Sequence, residues 1–241
     1  MSHSPLLEFS PLPDGVEQMV DQSFAEAKRF VDEFDPELVI LFAPDHYNGF
    51  FYKLMPPFAI GLAASSVGDF GSTAGDLPVP LADAQSLAQA VLADGLDLSV
   101  SMRMEVDHGA VQPLEVLWGG IAERPVIPLF INSVAPPFGP MSRVRLLGEA
   151  IGRWATALDK RVLFLGSGGL SHDPPAPQIG VAQPTVRERM IAGGSRPADG
   201  EQARGEWLAS LGQEFRRRRH RGHAAAECSV GQPISRLPRE G

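Results

Sequence analysis

The run Leu38-Val-Ile-Leu-Phe-Ala43 constrains this chain most, because six consecutive apolar residues leave no polar face for solvent. A short run of this kind reads as a strand buried on both faces, as in a sheet covered by helices on either side. Pro44 has no N–H to give to a ladder, so pairing is expected to stop there. His46 then lies just past the carboxyl end of a central strand, where open α/β sheets carry their sites. One loop histidine would mean little, but the pattern recurs. Arg161-Val-Leu-Phe-Leu-Gly-Ser-Gly-Gly-Leu-Ser-His172 is again an apolar strand, a Gly-rich turn and a histidine. Ser2-His3-Ser4-Pro5 and Val106-Asp-His-Gly109 supply two more.

Around that strand the chain alternates helical and extended patterns. A helix is expected from Asp14, as N-cap, to about Phe34, with Val16, Val20, Ala27, Val31 and Phe34 on its apolar face. Tyr47-Asn-Gly-Phe-Phe-Tyr52 is an aromatic loop, and residues 58–62 form a short strand. Residues 67–80, rich in Gly, Asp and Pro, read as a long loop of the kind that often serves function. A helix over 81–93 and one strand over 96–104 lead to Asp107-His108. A short helix is expected over 113–118. Next comes a strand over 126–131, whose Pro128 suits an edge or a bulge. Ser142 is a candidate cap for a helix to Leu158, and a last strand covers 161–165. The class is therefore α/β, with a central, mostly parallel or mixed sheet and helices on both faces.

Composition removes several function classes. With 241 residues, 44% of them hydrophobic, the chain is long enough for a sizeable core. A net charge of -8 argues against a nucleic-acid partner. No apolar run approaches the roughly 20 residues that span a bilayer, so no membrane partner is expected. Residues 1–5 have no signal-peptide pattern. The single Cys228 excludes an intrachain disulfide and predicts a reducing, cytoplasmic setting.

The four histidines carry the chemistry. Neutral imidazole is a frequent ligand of first-row metals and a frequent general acid or base. Four of them at loop positions of one α/β unit point to a metal site with proton-transfer groups beside it. There is no His-Glu-x-x-His helix and no pair of thiolates, which speaks against a zincin or a structural zinc site. Gly166-Ser-Gly-Gly169 lacks the Lys-Ser/Thr ending of a phosphate-binding loop. Ser167 and Ser171 as nucleophiles lack the Gly-x-Ser-x-Gly frame. Asp45 and Asp107 each precede a histidine, and each either orients it or caps a turn.

Taken together, Ser2-His3-Ser4-Pro5, Phe42-Ala-Pro-Asp-His-Tyr-Asn-Gly-Phe-Phe-Tyr52, Gly68-Asp-Phe-Gly71, Val106-Asp-His-Gly109 and Leu163-Phe-Leu-Gly-Ser-Gly-Gly-Leu-Ser-His172 resemble the class III extradiol ring-cleavage dioxygenases. The likeness is greatest to members that open the ring of 2,3-dihydroxyphenylpropionate and 2,3-dihydroxycinnamate, and it runs from Ser2 to about Phe215. It implies a non-haem Fe(II) site with two histidines and one carboxylate. It implies that His3 and His46 are the metal ligands, His172 the proton acceptor and His108 the proton donor. It further implies a catecholic substrate, dioxygen as co-substrate, and a homo-oligomer when the chain is intact. Two other readings stand beside it: a non-catalytic binding module of the same fold, and a metal-dependent hydrolase built on His3, His46 and Asp45.

Both ends depart from that likeness, so the sheet is expected to be truncated at each end relative to the family. By resemblance His3 closes the first strand, which predicts that Met1 is internal and that apolar residues are encoded upstream. Residues 1–215 are expected to be the catalytic domain. Residues 216–241 hold seven arginines, at 216–219, 221, 236 and 239, and only Glu227 and Glu240 as acids. They read as a disordered or out-of-frame tail. With suitable codons for Gly222 to Gly241, a shift of one base gives a peptide containing Pro-Leu-Asn-Ala-Val-Trp-Asp. That peptide resembles a family segment at this place, so a frameshift near 215–218 is expected. The expected Glu ligand has no counterpart in the chain as written, which predicts poor folding, weak iron binding and no activity.

Overall fold

The computed structural model describes His3, residues 15–169 and residues 179–193. The apolar run is strand β1 (Leu38–Ala43), and Leu38 to Leu41 are fully buried. Its side chains divide between two cores by simple alternation. Leu38 and Ile40 join a cluster with Leu87, Val91, Leu147 and Ile151. Val39, Leu41 and Ala43 join the opposite cluster with Val31, Val111, Leu114 and Leu117. Helices α2 (Leu81–Ala93) and α4 (Met141–Thr156) thus cover one face. Helices α1 (Val16–Phe34) and α3 (His108–Trp118) cover the other. Burying each large aliphatic side chain of β1 is worth roughly 1.5–3 kcal/mol.

The main sheet contains β5 (Ser99–Ser101), β2 (Phe58–Gly61), β7 (Val126–Ile131), β1 and β8 (Val162–Gly166), in that order. Strand β1 runs parallel to both β7 and β8, and β2 runs parallel to β5. The β2–β7 pair is antiparallel, so the sheet is mixed, within the expected class. A smaller sheet orders β4 (Ala74–Leu77), β3 (Ala64–Val67) and β6 (Met104–Val106). Helix α5 (Pro184–Ala192) is the last element among the described residues.

Several sequence expectations are corrected. Residues 67–80 are not one loop: they hold a 3-10 turn at Asp69–Gly71 and strand β4, because β3 offers a partner edge. Residues 96–104 give two strands in different sheets, β5 and β6, broken between Ser101 and Met104. Pro128 lies in a central strand, not at an edge. Its missing N–H falls where the β2–β7 ladder has already ended, at Ile60 opposite Leu129. Gly61 lies against the Pro128 ring, and a Cβ there would come within 3.0 Å of Pro128 Cγ.

Helix α3 starts five residues earlier than expected, because Asp107 caps it by accepting from the Gly109 N–H at 2.9 Å. Helix α4 starts at Met141 after Pro140, with no side-chain cap from Ser142. Of the expected apolar face of α1, only Val31 is buried. The proposed boundary at 215, the tail and His172 lie outside the described residues.

Candidate active site

Adjacent strands place the site. The chain leaves β1 through Pro44 and Asp45 to His46, and leaves β8 directly into Ser167, whose N–H donates to Phe42 O at 2.8 Å. His108 is the first residue of α3. These three points meet at the carboxyl ends of β1 and β8, as the sheet rule anticipates. His3 joins them: its Nδ1 lies 2.8 Å from Ser167 Oγ. One ring nitrogen of each of His3, His46 and His108 lies within 4.8 Å of the others. The His46 and His108 rings stack at 4.6 Å between centroids. The His3 ring stands edge-on to both, at 5.2 and 5.7 Å.

Each of these rings has an oxygen at Nδ1, and the partners are crossed relative to the sequence. Asp107 does not hold its neighbour His108. Its Oδ2 takes His46 Nδ1 at 3.1 Å and the His46 N–H at 2.7 Å. His108 is held instead by Asp69, with Nδ1 at 2.7 Å from Oδ2 and the backbone N–H at 2.8 Å from Oδ1. Asn48 joins the two pairs, its Nδ2 donating to Asp107 Oδ2 at 2.9 Å and to Asp69 Oδ2 at 3.3 Å. Asp45 is a turn clamp: its carboxylate accepts from the N–H groups of Asn48, Gly49 and Phe50 at 2.9–3.1 Å.

Asp69 and Asn48 are the residues that sequence reasoning passed over, although both sit in quoted motifs. The available signal was an Asp-Phe pair flanked by two glycines. Gly68, Phe70 and Gly71 all take positive φ, a conformation that is costly for Phe70. That turn sets the Phe70 ring edge-on to His108 at 4.9 Å between centroids.

Charges follow from burial and pairing. Full burial opposes ionisation of Asp107. The hydrogen bond and charge of His46, the charge of His108 and the Asn48 amide outweigh it and hold Asp107 well below the usual carboxylate range. Burial likewise opposes charge on His46, but the hydrogen bond and charge of Asp107, with Asp45 and Asp69 behind, leave its pKa above the usual value. Asp45 is pushed up to about 7, first by burial and then by the charge of Asp107, against the pull of its three amide donors.

Comparison with known proteins follows the same lines. The family model of the catalytic LigB subunit of aromatic ring-opening dioxygenase matches residues 1–221. The chain belongs to this family. A Rhodococcus rhodochrous 2,3-dihydroxyphenylpropionate/2,3-dihydroxicinnamic acid 1,2-dioxygenase is 57% identical over 205 residues, which are 85% of this chain and 65% of the relative. Relatives of the same name are 50% identical over 224 residues in Klebsiella pneumoniae and 52% identical over 235 residues in Mycolicibacterium paratuberculosis. These matches take in 92% and 98% of this chain and 71% and 72% of the relatives. The chain therefore spans about two thirds of the length of the curated relatives it matches.

Family membership implies a metal cofactor, and the histidine set suits one. Metal-binding imidazoles characteristically give their other ring nitrogen to a carboxylate or other oxygen, which fixes tautomer and orientation. His3, His46 and His108 all show that arrangement through Nδ1, so Nε2 is the nitrogen each would offer an ion. Among the described residues, no carboxylate belongs to this three-histidine group. No described helix is long and apolar enough to cross a membrane.

Proposed function

We propose that this chain carries the metal-binding and proton-transfer histidines of an Fe(II)-dependent extradiol dioxygenase. Its substrates are 2,3-dihydroxyphenylpropionate and 2,3-dihydroxycinnamate, with dioxygen as co-substrate. The observation that carries the reading is the meeting of His3, His46 and His108 within 4.8 Å, in a chain whose residues 1–221 match the family. His3 and His46 hold the metal, with a carboxylate from outside the described cluster completing the set. When bound, Fe(II) would supply Lewis-acid chemistry toward the diol and dioxygen.

The chain's own groups do the rest. Asp107 fixes the His46 ring, and Asp69 fixes that of His108. His108, set edge-on against Phe70, delivers a proton during ring opening. His172, by its place in the motif after β8, takes the first proton from the diol. A reducing cytoplasmic setting, a homo-oligomeric state and no nucleic-acid or membrane partner belong to the same proposal.

The test begins with anaerobic Fe(II) titration of the 241-residue chain, where weak binding is expected, and of an intact chain whose gene is shifted by one base after codon 215. His3→Ala and His46→Ala should each abolish binding, while His108→Phe and His172→Phe should keep it. Unchanged iron stoichiometry in either alanine variant would reject that ligand. Ring cleavage is then read as dioxygen uptake and the yellow product. For residues 216–241 we propose an out-of-frame tail. A gene shifted by one base after codon 215 should give strong ring cleavage, lost in His108→Phe and His172→Phe, where the chain as written gives little. Equal activity of the two chains would remove the frameshift. No activity in either would remove the substrate assignment.

A further inference from the structure

Pro113 stands at the sixth position of the eleven-residue helix α3. A proline there has no N–H to donate to the carbonyl four residues earlier, which is that of Gly109. Buried carbonyls do not stay unpaired, so this one needs another donor. The Ser167 hydroxyl supplies it, donating to Gly109 O from the turn after β8. A hydroxyl has one proton. With that proton committed to Gly109 O, the Ser167 oxygen faces His3 Nδ1 only as an acceptor. His3 must then carry its proton on Nδ1 and present Nε2 as a lone pair.

We infer that Ser167 is a positioning residue for metal binding, set in its role by Pro113. The path runs from Pro113 through the Gly109 carbonyl and the Ser167 hydroxyl to His3 Nδ1, and it selects the metal-binding tautomer of His3. This reassigns Ser167, weighed above as a nucleophile: its proton is engaged by a backbone carbonyl. It also explains why a helix next to the site contains a proline in its interior. The inference rests on the reading of His3 as a ligand.

Two measurements on the 241-residue chain test it. In metal-free protein labelled with 15N-histidine, long-range proton–nitrogen correlations should show neutral His3 protonated at Nδ1. An Nε2–H tautomer would overturn the proposal without any variant. In anaerobic Fe(II) titrations, Ser167→Ala should weaken binding by about 10–100-fold, and Ser167→Thr, which keeps the hydroxyl, should stay within a few-fold of the parent. Affinity unchanged in Ser167→Ala, or lost equally in Ser167→Thr, would overturn it.

Pro113→Ala restores an N–H that competes for Gly109 O. It should lower Fe(II) affinity several-fold while the melting temperature holds or rises, whereas a purely structural proline would leave affinity unchanged. Unchanged affinity would overturn the part assigned to Pro113. None of these readings uses ring cleavage. The expected tautomer and affinity changes, with no ring cleavage in either the chain as written or the frame-restored chain, would remove the dioxygenase assignment and leave this inference standing.

Discussion

Replacing Asp107 by alanine tests the scaffold of the site most directly. Asp107 is fully buried, and its two oxygens take the His46 N–H at 2.7 Å, His46 Nδ1 at 3.1 Å, Asn48 Nδ2 at 2.9 Å and the Gly109 N–H at 2.9 Å. At ~1.5–3 kcal/mol for each hydrogen bond to a charged group, a simple sum gives ~6–12 kcal/mol. Two opposing effects reduce it. Desolvating the carboxylate costs several kcal/mol, and its charge repels the neighbouring Asp45. Removing one partner of a buried charged pair costs ~3–5 kcal/mol net, which is the expected loss for Asp107→Ala. A domain is stable by only ~5–15 kcal/mol, so the variant should remain measurable but close to unfolding. The assay is urea unfolding, read as a lowered midpoint at unchanged slope. Asp107→Asn keeps the volume and one acceptor but turns an NH2 toward a donor, so about half the loss is expected. Fe(II) affinity should fall ~10–100-fold in both, because the His46 ring loses its holder. A loss under ~1 kcal/mol with intact iron affinity would refute the account of Asp107.

Three further outcomes are expected. In Gly109→Ala the new methyl would stand 2.9 Å from Asp107 Oδ1 and 3.2 Å from His46 Cε1. Stability should drop by ~1–3 kcal/mol, with weaker iron binding; unchanged iron affinity would mean that His46 does not depend on this close approach. In Gly49→Ala the methyl would fall 2.1 Å from the Glu105 carbonyl oxygen, so the 47–52 loop must lift off β6; tryptic cleavage at Lys53 should accelerate, and an unchanged rate would contradict the contact. Leu41→Ala in β1 should cost ~2–5 kcal/mol by urea unfolding, and a loss below ~1 kcal/mol would contradict its full burial.

Much of the fold was legible because the sequence repeats simple periodicities. The short, β-branched apolar run reads as a two-faced buried strand, and β1 is one. The 81–93 helix and the 126–131 strand appear with the expected limits. The errors share a cause. Residues 67–80 and 96–104 have weak local patterns, and their strands exist only because β3 presents edges to β4 and β6. Pro128 reads locally as a sheet-edge residue, yet a central strand accommodates it because the antiparallel ladder ends one residue away.

By itself the sequence determined the buried strand that leads to His46 and the α/β class, and its motifs named the histidines as candidates for the chemistry. Those features are local: they depend on the order of apolar residues and turn formers along the chain. Which groups hold the histidines was decided by tertiary structure alone. Asp107 precedes His108 but holds His46, while Asp69, 39 residues before His108 in the chain, holds His108 instead. Ser167 lies 164 residues from His3 and supplies the oxygen at its Nδ1. A carboxylate or hydroxyl bonds whatever donor lies within about 3 Å in the right direction. Chain adjacency fixes only where a side chain starts; the packing of β1, β8 and α3 fixes which group it meets.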